Sequence, residues 1–545
     1  GSSQLYSRAA TTRALTEAPR AALGPPAESL AQGFFASMGR LASVCALGAL
    51  RLLAWVAPAG ASPDVADACV ASACAAAAGP FAPDEAPSGM SLLQFDRAPT
   101  GKAPPKHLWT NRAGGLAASS SVPYAALADL TVRPAWTWAN ELGEQVRHSP
   151  LIDAEKNVYI CTTSRLRKFD SDGHALWTHH DPSWRIRTAP VLYRQSVYVV
   201  SDGVDDDHIR PKLSAISLDS GEAEWTHDFG RVHRGRDAQG MLVFDEKVVF
   251  GVLRGDNSDG TDTIMAASAV DGSHLWEYTT DEIMWNFSPA SPGDGTLLFS
   301  SSCGGVYRLG ADGELVWRAG PHHPNKMCSN GGGALGPDGV FYTTYRESDN
   351  KILDAHPYVK VAAYSLSDGK LRWHRQLPFQ STNYPAVGRL GPHGPVAVAL
   401  GVGDTVLPPV PFFVEQPLLA VKGSLRNWLV ALDADTGETL WKSEERRWPT
   451  VTAAGERDAH NLADGKACWP DNQAIPVIAG DGTVYAASGH SGDLRAIRDK
   501  DGDGVISPLE VSTFAPEKCF LNSPSLAPGM LVAAPCWGPT YVFKA

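Results

Sequence analysis

The residues with the most specific chemistry lie near the C-terminus. Residues 499–510 read Asp-Lys-Asp-Gly-Asp-Gly-Val-Ile-Ser-Pro-Leu-Glu and meet the pattern D-x-[DN]-x-[DN]-G-x5-E without a mismatch. Calcium is a hard cation that wants oxygen ligands, and this spacing supplies them from one short loop. Asp499, Asp501 and Asp503 are expected to give carboxylate oxygens, Val505 its carbonyl, Ser507 a direct or water-mediated contact, and Glu510 two oxygens. Gly504 permits the sharp turn between them. Ser507 and Glu510 also form a capping box with Pro508 at the first helical position, so a short helix should leave the loop.

The loop needs a scaffold, and an internal repeat provides it. Gly stands four residues before Trp at Gly173/Trp177, Gly221/Trp225, Gly272/Trp276, Gly313/Trp317, Gly369/Trp373 and Gly437/Trp441. Ala215, Ala266, Ala363 and Ala431 lie ten residues before their Trp. The stretch Ala431–Trp441 shows strand, Asp/Gly turn and strand in succession, so each copy is a β-hairpin. A second strand pair accompanies each copy, opening near Pro150, Pro190, Met241, Pro289, Gly332, Pro385, Pro476 and Pro524. Two hairpins per unit give a four-stranded antiparallel blade, and eight blades give an all-β, eight-bladed propeller. The last blade ends at Thr540-Tyr541-Val542-Phe543 without a fourth strand, and Pro134-Ala135-Trp136-Thr137 is a fourth strand without a blade. Pairing the two termini would close the ring and remove both open edges.

The Ala-x5-Gly-x3-Trp hairpin resembles the tryptophan-docking repeat of the pyrroloquinoline quinone (PQQ)-type eight-bladed propellers, across about residues 134–545. That family holds quinoprotein alcohol dehydrogenases and non-catalytic members such as the Bam-complex lipoprotein. The resemblance implies that the Trp residues stack between blades. For an enzyme it also implies an axial quinone between a Trp and a ring of two adjacent disulfide-bonded Cys, beside calcium and an Asp base. No Cys-Cys pair occurs here, and Cys303-Gly304 and Cys328-Ser329 are the nearest in position. The acidic loop also departs from an ordinary EF-hand. Asp493–Ile497 before it is a propeller strand, Ala496 and Gly502 keep the repeat's spacing, and no partner loop is visible. It has grown out of a hairpin turn of blade seven, with the fourth strand around Val511–Phe514.

Other chemistry is sparse. No Ser-His-Asp motif, phosphate-cradling glycine loop or His/Cys metal spacing is present. Polar residues gather where the chain leads into the blades: Arg147, His148, Arg187, Asn286, Asn330, Asn383, Asp471, Asn472 and Asn522. They could ring a ligand site or hydrogen-bond exposed strand ends. Long segments at 201–212, 253–263, 345–360 and 401–427 interrupt hairpins and would decorate one face. Cys303 with Cys328, bridging blades four and five, and Cys519 with Cys536, within blade eight, are pairings an oxidising compartment would allow.

The N-terminal quarter differs in kind. Met38, Arg40, a run from Leu41 to Val56 that is apolar apart from Arg51, and Ala59-Gly60-Ala61 have the layout of a secretory signal. Residues 62–133 are Ala-, Pro- and Ser-rich and read as a linker. The chain of 545 residues has a net charge of -12, concentrated after residue 133, which argues against nucleic-acid binding. The resulting expectation is a non-catalytic, calcium-binding scaffold for a protein or small-molecule ligand on a propeller face. It would work in the secretory pathway or outside the cell, or alternatively in an organelle reached through this leader, and at a membrane only if the leader stays as an anchor. The alternative is a PQQ-dependent alcohol or sugar dehydrogenase.

Overall fold

An Asp/Gly hairpin has two open edges, and a second hairpin laid beside it makes a four-stranded sheet that can stack face to face with its neighbours. The computed structural model describes residues 106–545 except 187, 206–207, 231–239, 253–260, 286, 327, 329–330, 348–357, 382, 405–422, 451 and 457–471, and except the side chains of 203–210 and 261. The repeat yields eight antiparallel sheets. Blade one is typical: Leu151–Ile152, Val158–Cys161, Arg165–Phe169 and Ala175–His180 pair in chain order. In blade four the innermost strand is reduced to a single bridge between Ala290 and Leu298.

Closure follows the expectation. Trp136–Trp138 is the outermost strand of blade eight, with Trp136 opposite Val542 and Trp138 opposite Thr540. The first strands of neighbouring blades touch, as between Val191–Tyr193 and Met241–Phe244, and Leu151–Ile152 meets Ser525–Ala527 across the closure. These strands therefore surround the axis. Inner strands are mostly buried, because a blade covers each of their faces. The Trp-bearing outer strands alternate instead, as in Ala175–His180.

Two segments differ from expectation. Residues 201–212 are not an irregular insertion, because Ser196–Asp205 and His208–Ser217 pair along their whole length as one long hairpin. Val, Ile and alternating polar residues can extend a ladder as readily as leave it. The other long segments fall largely outside the described residues. The second difference is larger: from Lys106 onward the supposed linker is packed. Trp109 and Ser120 are fully buried, and Ala113 and Ala118 nearly so.

Candidate metal loop and axial channel

The acidic loop is framed by Leu494–Ile497 and Val511–Phe514, with Ile497 opposite Val511. Asp499 organises the turn: one carboxylate oxygen accepts the Gly502 N–H at 2.8 Å, the other the Gly504 N–H at 3.0 Å. Asp503 accepts the Val505 N–H at 2.7 Å. Oxygens of Asp499, Asp501 and Asp503 lie within 4.8 Å of one another. Glu510 is not in that group and accepts bonds from the loop's own backbone. Its Oε1 accepts the Lys500 N–H at 2.6 Å, and its Oε2 accepts the Ser507 N–H at 2.8 Å and hydroxyl at 2.9 Å. Those bonds, led by the Ser507 and Lys500 amides, hold its carboxyl at about 2. The expected short helix is the 3-10 turn Pro508–Glu510, with its capping box formed. Val505 and Leu509 point outward, Leu509 with 88% of its surface exposed.

The polar residues leading into the blades act mostly as braces. Asn383 donates to the Gln473 carbonyl at 2.6 Å, Asn472 to that of Gln380 at 2.9 Å, and Asn522 to that of Val146 at 2.9 Å. Each bond spans two neighbouring blades. His148 is buried, and burial followed by the Arg112 and Arg147 charges pulls its imidazole down to about 3, so it is neutral. Arg187, Asn286, Asn330 and Asp471 lie outside the described residues.

Sequence reading missed a buried carboxylate between blades six and seven. Glu445 accepts from Asn427 at 2.6 Å, from Gln473 at 3.4 Å and from the Ser491 hydroxyl. Burial pushes its carboxyl above the usual glutamate range, against the pull of Arg495. Nearby, Arg446 clamps Asp493 through two bonds of 2.7 and 3.0 Å. A cavity of about 380 Å³ at the seam of blades four and five was also not foreseen. Tyr345, Tyr364 and His374 line it, along with a Lys360–Glu347 ion pair of 2.7 Å.

The disulfide Cys303–Cys328 is formed, across 25 residues of sequence. Cys519 remains a thiol, so the Cys519–Cys536 pairing is not made; Cys536 is in a disulfide whose other half lies outside the described residues.

The least expected feature is on the axis. Residues 109–125 run along the inner edges of the blades and bond, in ring order, to blades one, two and four to eight. Trp109 exchanges two backbone bonds with Ile152 of blade one, and Leu192 of blade two donates to the Thr110 carbonyl. Ser291, Leu335, Val387 and Ile478, in blades four to seven, donate to Leu116, Ala117, Ser119 and Ser120 at 2.7–2.9 Å. Gly529 of blade eight donates to Ala125 at 3.1 Å. The chain then passes outward, where the Leu130 N–H donates to the Ser512 hydroxyl at 2.7 Å, two residues beyond Glu510. Its small side chains suit this place: a Cβ on Gly388 would meet Ser121 at 2.7 Å.

Residues 134–256 and 212–407 match the family model described as outer membrane protein assembly factor BamB. No curated protein matches the chain. Among solved structures it is similar to quinohemoprotein alcohol dehydrogenase ADHIIG from Pseudomonas putida HK5, at 13% identity and a TM-score of 0.52, covering 80% of each chain. The quinohemoprotein alcohol dehydrogenase from Comamonas testosteroni gives 13% identity and 0.50, again over 80% of each chain. BamB from Moraxella catarrhalis gives 14% identity and 0.47, covering 76% of this chain and 97% of that one. At such identities the structural likeness is one of fold alone.

Proposed function

We propose that this chain, which belongs to the outer membrane protein assembly factor BamB family of propellers, is a non-catalytic recognition scaffold whose seventh blade is stiffened by calcium. The observation that carries the scaffold reading is the occupied axis. A quinone of the kind the dehydrogenases use would need the axial funnel and a ring of two adjacent disulfide-bonded Cys. Here residues 109–122 stand on the axis, and Cys303 bonds Cys328 rather than a chain neighbour. The residues present do not fit that group.

They do fit calcium. Asp499, Asp501 and Asp503 converge from one turn, and each carboxylate oxygen that accepts an amide keeps a second lone pair for a cation. Val505, Ser507 and Glu510 would complete the oxygen set. The family's description as an assembly factor favours a protein partner over a small molecule. The excess of acidic side chains argues against nucleic acid. The Cys303–Cys328 bond supports an oxidising compartment, in keeping with a signal at residues 38–61, which lie outside the described residues.

Calorimetric titration with Ca²⁺ and equilibrium dialysis against PQQ, with dye-reduction assays on alcohols and sugars, test this reading. One bound calcium, no retained quinone and no turnover are expected. Tight quinone uptake with turnover would make the protein a dehydrogenase. N-terminal sequencing of native material should find a start near Ser62, and intact residues 1–60 on cytosolic protein would overturn the compartment.

A further inference from the structure

The inner edge of each blade is an edge strand, with backbone groups that must find partners. The segment 109–125 supplies such partners to blades one, two and four to eight through its main chain, as an added strand does in β-augmentation. Main-chain pairing asks little of side chains beyond small size, and from Ala113 to Ser121 only Leu116 is large. One large residue anchors the run: Trp109, fully buried, with its ring against Gly114.

The fit of this occupant is imperfect. Ala118 and Ser120 both adopt φ of +47°, in the left-handed region that non-glycine residues avoid. The Trp109 indole N–H and the Ser120 hydroxyl are buried without a hydrogen-bond partner. A segment selected only as permanent core would be expected to carry glycine at those two positions and a partner for that indole. We propose that the axial channel is a peptide-acceptor site held in cis by residues 108–125. In trans it accepts an extended chain with one aromatic anchor followed by small residues. This inference goes beyond the scaffold reading and stands whether or not the acidic loop holds calcium.

The test uses the full chain carrying Trp109→Ala, which loosens the resident segment, and a fluorescent synthetic peptide of residues 106–125. Saturable one-to-one uptake by the variant is expected, at least tenfold tighter than by the wild-type chain. A peptide carrying Trp109→Ala should not be taken up, and one carrying Ala118→Gly and Ser120→Gly should bind more tightly than the native peptide. A folded variant that takes up no peptide, or takes up a scrambled one equally, overturns the proposal. If the variant does not fold, a protease site placed in the exposed stretch 131–133 of the otherwise native chain replaces it, which leaves the closing strand Trp136–Trp138 on the propeller. Displacement of the cut N-terminal fragment by excess peptide supports the acceptor site. A fragment that never leaves shows an integral part of the core and overturns it.

Discussion

Gly221 lies directly beneath the indole of Trp177, so close that a Cβ at Gly221 would come within 2.6 Å of the ring. The Trp177 indole N–H donates to the Leu218 carbonyl at 3.0 Å, three residues earlier in the same turn. Trp177 ends blade one and Gly221 belongs to blade two, so the repeat's two marker residues join neighbours rather than partners within one hairpin. The pairing recurs between Trp136 and Gly173, Trp276 and Gly313, and Trp373 and Gly437. Through Trp136 it also reaches the closing strand, linking blade eight to blade one.

Gly221→Ala should therefore cost more than backbone strain. Its φ of +73° alone penalises alanine by about 1–2 kcal/mol, and forcing the indole aside should add about 1–3 kcal/mol. Gly230 has a similar φ of +76° and open space around its Cβ position, so Gly230→Ala should carry the first cost only. Urea unfolding midpoints of the two variants separate the effects. Equal losses would mean that the indole yields without penalty.

Glu445→Gln should change how stability varies with pH. The folded-state pKa of Glu445 is raised, so above the ordinary glutamate value of about 4.3 the folded chain binds more protons here than the unfolded one. Stability from this group is thus complete at low pH and falls as pH rises through the folded value. Glutamine removes that dependence, so the variant should gain on the wild type as pH rises above about 4.3. Denaturant titrations at several pH values would show it, and a difference flat with pH would place the carboxylate in water.

How much was legible in the sequence follows from how local each interaction is. The acidic loop could be read because its pattern lies within twelve contiguous residues, and the blades because Gly and Trp recur at fixed spacing within one turn. Blade seven breaks that pairing: Gly502 has no indole above it, and Trp441 sits in a cluster flanked by Ile506 and Val511 instead. The Glu445 network was invisible, since Asn427, Gln473 and Ser491 come from separate stretches of the chain with no common period. The axial segment was misread for a physical reason. Its cohesion lies in main-chain bonds to other blades, while its Ala, Gly and Ser side chains have the composition of a linker.

Cys303→Ser should destabilise the seam between blades four and five. The bond closes a loop of 25 residues in sequence separation, joining the turn after Leu297–Ser300 to the approach to Gly333–Leu335. Loop-closure entropy puts the loss at about 3 kcal/mol. Thermal scans with and without reductant measure it, and the serine variant should no longer respond to reductant at this seam. Hydrogen exchange confined to residues 297–345 would locate the change, whereas an unaltered seam would show that blade packing alone holds it.

Calcium should act on blade seven and, through it, on the N-terminal segment. Carboxylates gathered within 4.8 Å repel one another, and a cation bound only by the folded loop relieves that repulsion. At about 100 times the dissociation constant the gain is about 2.7 kcal/mol. Chelation should lower the melting temperature and speed amide exchange across residues 494–514, while blades two to five stay protected. The change should also reach Leu130, whose N–H is held by Ser512 just behind the loop. Asp499→Asn combined with Glu510→Gln should abolish the calcium response while the ring still folds, because closure rests on Trp136–Trp138 and Thr540–Lys544 instead. Exchange that is the same with calcium and with chelator would make the loop an acidic turn and nothing more.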